Sequence, residues 1–289
     1  MEARRVGDSD LYLHEKVSSD SGSVEAYLAR ARPYRRPPTP CLPPTAPRRP
    51  RPVHRRPRHG VAGAAHARCS RSGPGRITDT SGSLGTVTRL LLIRHAPVAT
   101  TGKVLYGREP GHHITQAGLA AARELALRLG KVDIQAVYCS PLERTRETAA
   151  RIAEPHGHSP VGEAGLMEVD YGEWTGQELA KLYKMPEWKT VVRQPSRMRF
   201  PGGESLAEAQ LRGVQVCEEL VGRHPDGTIA IVTHSDIIRL VLGFYLGQPL
   251  DFLSRLTVSP TSVSVLDISK KGGVMVTAVN TNGNPVSWQ

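Results

Sequence analysis

The stretch Leu90-Leu91-Leu92-Ile93 leads into Arg94-His95-Ala96, and the stretch Ile229-Ala230-Ile231-Val232 leads into Thr233-His234-Ser235. A short apolar run between polar residues is typical of a strand that is buried on both faces, as in the middle of a parallel α/β sheet. Ligand sites of open α/β sheets lie at the carboxyl ends of the strands. The two runs therefore predict central strands that bring His95 and His234 into one crevice. Because Arg94 lies beside the first histidine, this crevice suits an anionic ligand.

Strand-like and helix-like segments alternate from residue 87 onwards. The predicted segments are helices from about Thr115 and from Ser235 to about Leu246, a strand at 136–139, and a closing hairpin of the apolar runs 263–266 and 274–277. Strands that alternate with helices in this way are typical of parallel sheets with helices on both faces. The order predicts the α/β class, with a three-layer α/β/α sandwich around a mostly parallel central sheet.

Three Ser/Thr-x-x-Glu patterns predict capped helix starts, at Ser140, Thr175 and Ser205. In such a capping box the Ser or Thr side chain accepts a hydrogen bond from the backbone three residues on, and the Glu side chain reaches back. Pro141 would occupy the first helical position of the first pattern, which also favours a helix start. We therefore expect a capped helix after each of these residues.

Arg144 lies one turn into the helix expected after Ser140, so its guanidinium is expected to point back over the carboxyl edge of the sheet. Helix N-termini attract anions, and arginine binds phosphate oxygens in pairs. A neutral imidazole such as that of His95 can attack phosphorus, and His234 adds a further donor. Taken singly, each of these residues also fits a structural or solvated role. Together they favour a site for phosphoryl chemistry.

The loop from Leu166 to Gly176 supplies carboxylates between apolar anchors. Cleavage of a phosphate ester needs a proton for the leaving oxygen, and a carboxylic acid whose pKa is raised can donate it. Glu168, Asp170 and Glu173 all qualify by residue type. Composition alone does not choose among them.

Four segments resemble the histidine phosphatase superfamily, also called phosphoglycerate mutase-like, over residues 88 to about 280. They are Arg94-His95-Ala96, Ser140-Pro141-Leu142-Glu143-Arg144 with Thr148-Ala149, Leu166-Met167-Glu168 with Gly172-Glu173-Trp174, and Thr233-His234. The resemblance implies that His95 is the phosphorylated nucleophile and that Glu168 is the acid. It also implies that Arg94, Arg144 and His234 hold the phosphoryl oxygens, and that neither a metal nor an organic cofactor is required.

The chain departs from many members of that family after the first histidine. Ala96-Pro97-Val98 and Thr101 stand where a Gly-Glu-Thr sequence and a nearby asparagine are common, so one polar contact of the pocket differs. Thr101 and Ser235 are counted as candidate substrate-binding residues. Arg108 is expected near the mouth of the pocket, where it either holds a second anionic group of the substrate or stays solvated.

The segment Phe200-Pro201-Gly202-Gly203-Glu204-Ser205 resembles one found in broad-specificity and α-ribazole (cobalamin-pathway) phosphatases. The long insertion of the glycolytic mutases, which would precede this segment, is short here, and this favours hydrolysis. We therefore expect a cytoplasmic phosphoric monoester hydrolase of the histidine acid phosphatase type that acts on a small phosphorylated metabolite. The alternatives are a cofactor-dependent phosphoglycerate mutase and a non-catalytic module that binds phosphorylated ligands.

The domain organisation follows from composition, because residues 1–86 differ from residues 87–289. The first part has 16 basic and 7 acidic side chains and 11 of the 23 prolines, whereas the second has 22 basic and 20 acidic side chains. We expect residues 1–86 to be disordered, since they cannot bury enough apolar surface to offset chain entropy. Three interpretations remain open: a solvated charged extension, a translated segment that precedes a natural start near Val87, and a nucleic-acid arm, which is the least favoured. Residues 87–289 are expected to form one phosphatase domain.

The remaining patterns mainly exclude classes of protein and site. Cys41, Cys69, Cys139 and Cys217 form no disulfide framework, which fits reduced thiols in the cytoplasm. His112-His113 resembles a metal pair, but adjacent loop residues rarely point together and carboxylates at ligand spacing are missing, so no metal site is expected. No apolar segment fits a signal peptide or a membrane span. A homodimer is left open.

Overall fold

The computed structural model describes residues 87–284. The expected disorder of residues 1–86 and the interpretations of that extension lie outside the described residues, as do Cys41 and Cys69. Cys139 and Cys217 are free thiols and are buried.

A six-stranded sheet forms the centre of the described part of the chain. The strands, in chain order, are β1 (Val87–Arg94), β2 (Val104–Leu105), β3 (Ile134–Cys139), β4 (Val161–Gly162), β5 (Gln177–Glu178), β6 (Thr228–Thr233), β7 (Val263–Ser269) and β8 (Val274–Thr281). The order in the large sheet is β4-β3-β6-β1-β7-β8, and β2 pairs with β5 separately. The pairs β4·β3, β3·β6 and β6·β1 are parallel, whereas β1·β7 and β7·β8 are antiparallel. The predicted mostly parallel sheet and closing hairpin are therefore confirmed.

Helices cover both faces of this sheet. Their bounds are α1 (Gln116–Leu129), α2 (Glu143–Ala153), α3 (Leu179–Leu182), α4 (Trp188–Arg193), α5 (Leu206–Arg223) and α6 (Ser235–Tyr245). Leu90 and Leu92 of β1 pack into the apolar cluster that contains α5 and α6, while Leu91 and Ile93 pack into the cluster that contains α1 and α2. Because successive side chains of a strand point to opposite faces, an uninterrupted apolar run fits only between two covered faces. The three-layer α/β/α sandwich is confirmed.

Of the three predicted capping boxes, the structure contains one. Ser205 caps α5, since its hydroxyl accepts from Glu208 N and the Glu208 side chain accepts from Ser205 N. The box at Thr175 is wrong: Gln177 and Glu178 pair with β2 instead, so α3 starts only at Leu179. Strand pairing there occupies the backbone that a helix would have used.

The capping box at Ser140 is also wrong. Helix α2 begins at Glu143, after Leu142, and no side chain caps it. The Ser140 hydroxyl instead lies 2.9 Å from His234 Nε2. Ser140 is therefore turned toward the neighbouring strand end, and Arg144 nevertheless lies in the first turn of α2, as expected.

No helix within residues 87–284 is both long enough and apolar enough to span a bilayer.

Candidate active site

The two histidines meet at the carboxyl edge of the sheet because β1 and β6 are adjacent and parallel. Arg94 is in register with Thr233, and His95 N donates to Thr233 O at 2.9 Å. The next residue on each chain segment is then a histidine, and the ring centroids of His95 and His234 lie 5.3 Å apart. Both side chains are buried. The structure thus brings together the two strand-end histidines in one crevice.

The imidazole of His95 is neutral, and one of its nitrogens keeps a lone pair. Its Nδ1 lies 2.7 Å from Ala96 O, and because a carbonyl oxygen only accepts, Nδ1 carries the proton. The lone pair therefore resides on Nε2. Burial holds the pKa of His95 well below its usual value, and the charges of Arg144 and Arg94 lower this pKa further. A neutral ring with a free Nε2 lone pair is the form that can attack phosphorus.

Arg144 places a positive charge in the buried site and keeps some of its N–H donors unbonded among the described residues. It is fully buried on the first turn of α2, its Nη2 donates to Gly107 O at 2.6 Å, and its guanidinium lies 4.7 Å from the centre of the Tyr106 ring. Its Nε and Nη1 are buried and have no hydrogen-bond partner among the described residues. A buried donor left unpaired costs about 1–3 kcal/mol, and more when charged. The two donors, Nε and Nη1, are therefore available for oxygens of a phosphoryl group.

Arg94 offers a similar, smaller set of contacts. Its Nη1 donates to Val258 O at 2.7 Å, which anchors the guanidinium on the segment before β7. The Nε of Arg94 is buried without a partner in the described residues. Both arginines thus keep at least one N–H available beside His95.

His234 is neutral and is held by Ser140. Burial holds the pKa of His234 well below its usual value, and the charge of Arg144 adds to this effect. Its Nε2 lies 2.9 Å from Ser140 Oγ, while its Nδ1 is buried without a partner in the described part of the chain. If the Ser140 hydroxyl donates, the His234 proton resides on Nδ1 and can be donated to an anion. Sequence analysis missed this role of Ser140, although a polar residue directly after β3, at the same sheet edge, was a usable signal.

Glu168 is the buried carboxyl of the loop from Leu166 to Gly176, which we call the acid loop. Its Oε1 accepts from Val169 N at 3.0 Å. Burial raises the pKa of Glu168 to about 7, the nearby Asp236 carboxylate raises it as well, and Arg144 and Arg94 oppose this shift. By contrast, Glu173 is exposed, and Asp170 is bound by Arg108. Of the three carboxyls that residue type alone left open, Glu168 is the buried one.

Asp236 is a second residue that sequence analysis missed. It lies in the first turn of α6, two residues after His234, and its Oδ2 accepts from the Tyr171 hydroxyl at 2.6 Å. Arg239 also binds it, and this charge together with the hydrogen bond from Tyr171 lowers the pKa of Asp236 against the effect of burial. A permanent negative charge here favours the protonated form of Glu168.

Arg108 does not present a free guanidinium to the pocket. Its Nε donates to Glu168 O at 2.8 Å, and its other two nitrogens bind Asp170 and Glu204. The geometry therefore supports neither of the two expectations for Arg108, which were contact with a second anionic group of the substrate and a solvated position. Arg108 ties the loop before α1 to the acid loop.

The other candidates from the sequence are Thr101, Ser235 and the pair His112-His113, and each makes a few local contacts. Thr101 Oγ1 accepts from Val98 N at 3.1 Å and so closes a local turn. Ser235 is the half-buried first residue of α6, directly after His234, and its contact with substrate stays a prediction. His112 binds Glu109 and Thr100, whereas His113 binds Glu147, so the two rings serve different partners.

Comparisons with known proteins identify the family of this chain. Residues 90–281 match the model of the histidine phosphatase superfamily (branch 1). The chain is 29% identical to phosphoserine phosphatase 1 of Hydrogenobacter thermophilus over 192 residues, which are 66% of this chain and 91% of that protein. It is also 29% identical over 233 residues to the bifunctional protein Rv2228c of Mycobacterium tuberculosis, a match over 76% of this chain but only 63% of that protein. Among solved structures, YhfR of Bacillus stearothermophilus superposes with a TM-score of 0.63 at 25% identity, over 67% of this chain and 97% of that one. The chain belongs to the histidine phosphatase superfamily, branch 1.

Proposed function

We propose that this protein is a phosphomonoesterase that hydrolyses a small phosphorylated metabolite through a phosphohistidine intermediate on His95. The observation that carries the proposal is the pairing of a neutral imidazole, whose proton lies on Nδ1 and whose lone pair lies on Nε2, with buried donors of Arg144 that have no partner among residues 87–284. The buried carboxyl of Glu168 supplies the acid that an alkoxide leaving group needs.

In the first step, His95 Nε2 forms a bond to phosphorus while the bond from phosphorus to the ester oxygen breaks. Glu168 gives its proton to that departing oxygen, so an alcohol leaves and Glu168 becomes a carboxylate. Arg94, Arg144 and His234 donate hydrogen bonds to the phosphoryl oxygens, whose charge is greatest in the transition state.

In the second step, the Glu168 carboxylate takes a proton from water as the water oxygen attacks phosphorus. The bond from phosphorus to His95 Nε2 breaks, inorganic phosphate forms, and both side chains return to their starting forms. Every group that these two steps need is a side chain of this chain, so the proposal includes no metal or organic cofactor.

The name of the Hydrogenobacter relative makes O-phospho-L-serine the first alkyl phosphate to test. A phosphoglycerate mutase would use the same nucleophile but return the phosphoryl group to a second hydroxyl, and a binding module would not need both His95 and Glu168. The proposed cytoplasmic location and a homodimeric state stay predictions.

The test is phosphate release from O-phospho-L-serine, 3-phosphoglycerate and p-nitrophenyl phosphate. We expect release from at least one of these esters, together with an acid-labile phosphoryl label on the protein. His95→Ala should abolish both, whereas His158→Ala, which alters an exposed histidine of the same domain, should leave both within about twofold. Isomerisation of 3-phosphoglycerate without release would favour the mutase, and turnover that survives His95→Ala would refute the proposal.

A further inference from the structure

Three charged residues from separate parts of the chain contact one another and the backbone of the acid loop. Arg108 comes from the loop between β2 and α1, Glu204 from the segment before α5, and Arg212 from the second turn of α5. We call these three residues the brace. The side chains keep only 15–29% exposure. None of the three takes part in the two proposed chemical steps.

Arg212 uses its whole guanidinium to hold the acid loop. Its Nη1 donates to Gly165 O and Met167 O at 2.8 and 2.7 Å, and its Nη2 donates to Glu168 O at 3.1 Å. The remaining donors form a forked pair with Glu204, from Nε to Oε2 at 3.0 Å and from Nη2 to Oε1 at 2.6 Å. All five N–H groups of the side chain are thereby used, which only the rigid fork of arginine allows.

Arg108 also binds the backbone of the acid loop. Its Nε donates to Glu168 O at 2.8 Å, so that this one carbonyl accepts from two guanidinium groups. Its Nη2 donates to Glu204 Oε1 at 2.9 Å. The carboxylate of Glu204 therefore lies between two arginines, and their charges hold its pKa below the usual value although burial opposes this.

The backbone of the Glu204 segment also packs directly on the acid loop. Glu204 N donates to Asp170 O at 3.0 Å, and Asp170 N donates to Glu204 Oε1 at 2.8 Å. A Cβ on Gly203 would lie 2.3 Å from Asp170 O, and one on Gly172 would lie 2.1 Å from Pro201 O. The glycines thus permit a backbone approach that any side chain would prevent.

We propose that Arg108, Glu204 and Arg212 are positioning residues that place the Glu168 carboxyl for proton donation to the leaving oxygen. The inference rests on the proposed phosphatase function. The Glu168 carboxyl is anchored at Oε1 to Val169 N, within its own loop, so its place in the crevice follows from the position of that backbone. The brace fixes the backbone at the Glu168 carbonyl and on both sides of it.

A misplaced acid has a specific kinetic signature. Phenyl and p-nitrophenyl phosphate are of similar size, but phenolate needs a proton on departure far more than the stabilised p-nitrophenolate does. A defect confined to Glu168 therefore slows phenyl phosphate selectively, whereas a damaged phosphate pocket or partial unfolding slows both esters alike. Because kcat/KM reports only the steps through formation of the phosphoenzyme, the later role of Glu168 as a base does not enter.

The experiment measures kcat/KM for both esters in the wild type, Glu168→Gln, Arg212→Lys and Glu204→Gln. Arg223→Lys is the matched control, because Arg223 lies on α5 in exposed ion pairs with Glu163 and Glu219. General acid catalysis contributes about 10²–10⁴-fold, so we expect the ratio of p-nitrophenyl to phenyl phosphate rates to rise about tenfold or more in the brace variants, with a larger rise in Glu168→Gln. The control should keep the wild-type ratio. In the brace variants the basic limb of the phenyl phosphate profile should also move to lower pH, since a displaced Glu168 is better solvated.

An unchanged ratio in Glu204→Gln, whether both rates fall equally or neither falls, would overturn the inference. Glu204→Gln keeps the size and acceptor oxygen of the side chain, so it decides the matter if Arg212→Lys does not fold. Failure of the wild type to release phosphate from either ester would instead refute the proposed function. The two failures are thus distinguishable.

Discussion

Arg144 and Arg146 lie two residues apart on α2, but only Arg144 reaches the crevice. Arg144 is fully buried beside Tyr106 and Gly107, whereas Arg146 is exposed. Sequence analysis left a solvated role open for Arg144 taken singly. The pair Arg144→Lys and Arg146→Lys therefore makes the same chemical change inside and outside the site.

The expected loss follows from the two unpartnered donors of Arg144, its Nε and Nη1. A hydrogen bond to a charged group contributes about 1.5–3 kcal/mol. Lysine keeps the charge but has a single nitrogen, which cannot take the positions of both Nε and Nη1, so Arg144→Lys should lose about one such bond, or roughly 10–150-fold in kcat/KM at about 1.4 kcal/mol per tenfold. Arg144→Met loses both bonds and should cost about 3–6 kcal/mol, or roughly 10²–10⁴-fold.

The assay is kcat/KM for p-nitrophenyl phosphate together with competitive inhibition by inorganic phosphate, with thermal unfolding as the check on folding. Both kcat/KM and phosphate affinity should fall in Arg144→Lys, and Arg146→Lys should keep both within about twofold. A folded Arg144→Met variant with wild-type kcat/KM, or an equal fall in the two lysine variants, would refute the assignment of Arg144 as a phosphate donor.

Three further predictions concern pH, backbone packing and the second histidine. Burial and Asp236 raise the pKa of Glu168 to about 7, and the acid must be protonated, so kcat/KM for an alkyl phosphate should fall as pH rises above about 7. Glu168→Gln should remove this fall of kcat/KM at basic pH. A fall that persists in the variant would point to another group. Gly203→Ala should lower the free energy of unfolding by more than about 1 kcal/mol, since its Cβ would lie 2.3 Å from Asp170 O. Gly222→Ala, in an open position of α5, should raise the free energy of unfolding by about 0.5–1 kcal/mol. Urea unfolding measures both variants, and equal effects on stability would contradict the prediction. Ser140→Ala leaves His234 Nε2 without its partner and should lower kcat/KM about 5–150-fold, as expected for about 1–3 kcal/mol, with little change in KM for the ester. Wild-type kcat/KM in this variant would show that Ser140 does not orient the ring.

Local patterns were sufficient wherever a single segment determines its own structure. The apolar runs before His95 and His234 predicted buried parallel strands, because only a doubly covered strand excludes polar side chains from both faces. Ser205 formed its predicted capping box, whose two hydrogen bonds both lie within residues 205–208. At Ser140 and Thr175 the same pattern failed, since Ser140 binds His234, which follows β6, and the segment after Thr175 pairs with the backbone of β2.

The roles of the charged residues were less predictable, because each depends on a partner far away in sequence. Residue type alone left Glu168, Asp170 and Glu173 equivalent, and burial separates them. Arg108 was expected near substrate, yet its partners Glu204 and Asp170 lie 96 and 62 residues away along the chain. No local pattern reports such a contact.

The sequence by itself determined the α/β class, the two strand-end histidines and the family to which the chain belongs, because these depend on periodicity and on short contiguous motifs. Tertiary structure alone decided which carboxyl is buried and which N–H groups of Arg144 lack a partner among the described residues. It also decided that Arg108 and Arg212 both donate to the Glu168 carbonyl, while Glu204 binds both arginines. The physical reason is that burial and charge pairing are properties of the packed chain, and they set the pKa of Glu168 and the neutral state of His95 only after segments distant in sequence have come together.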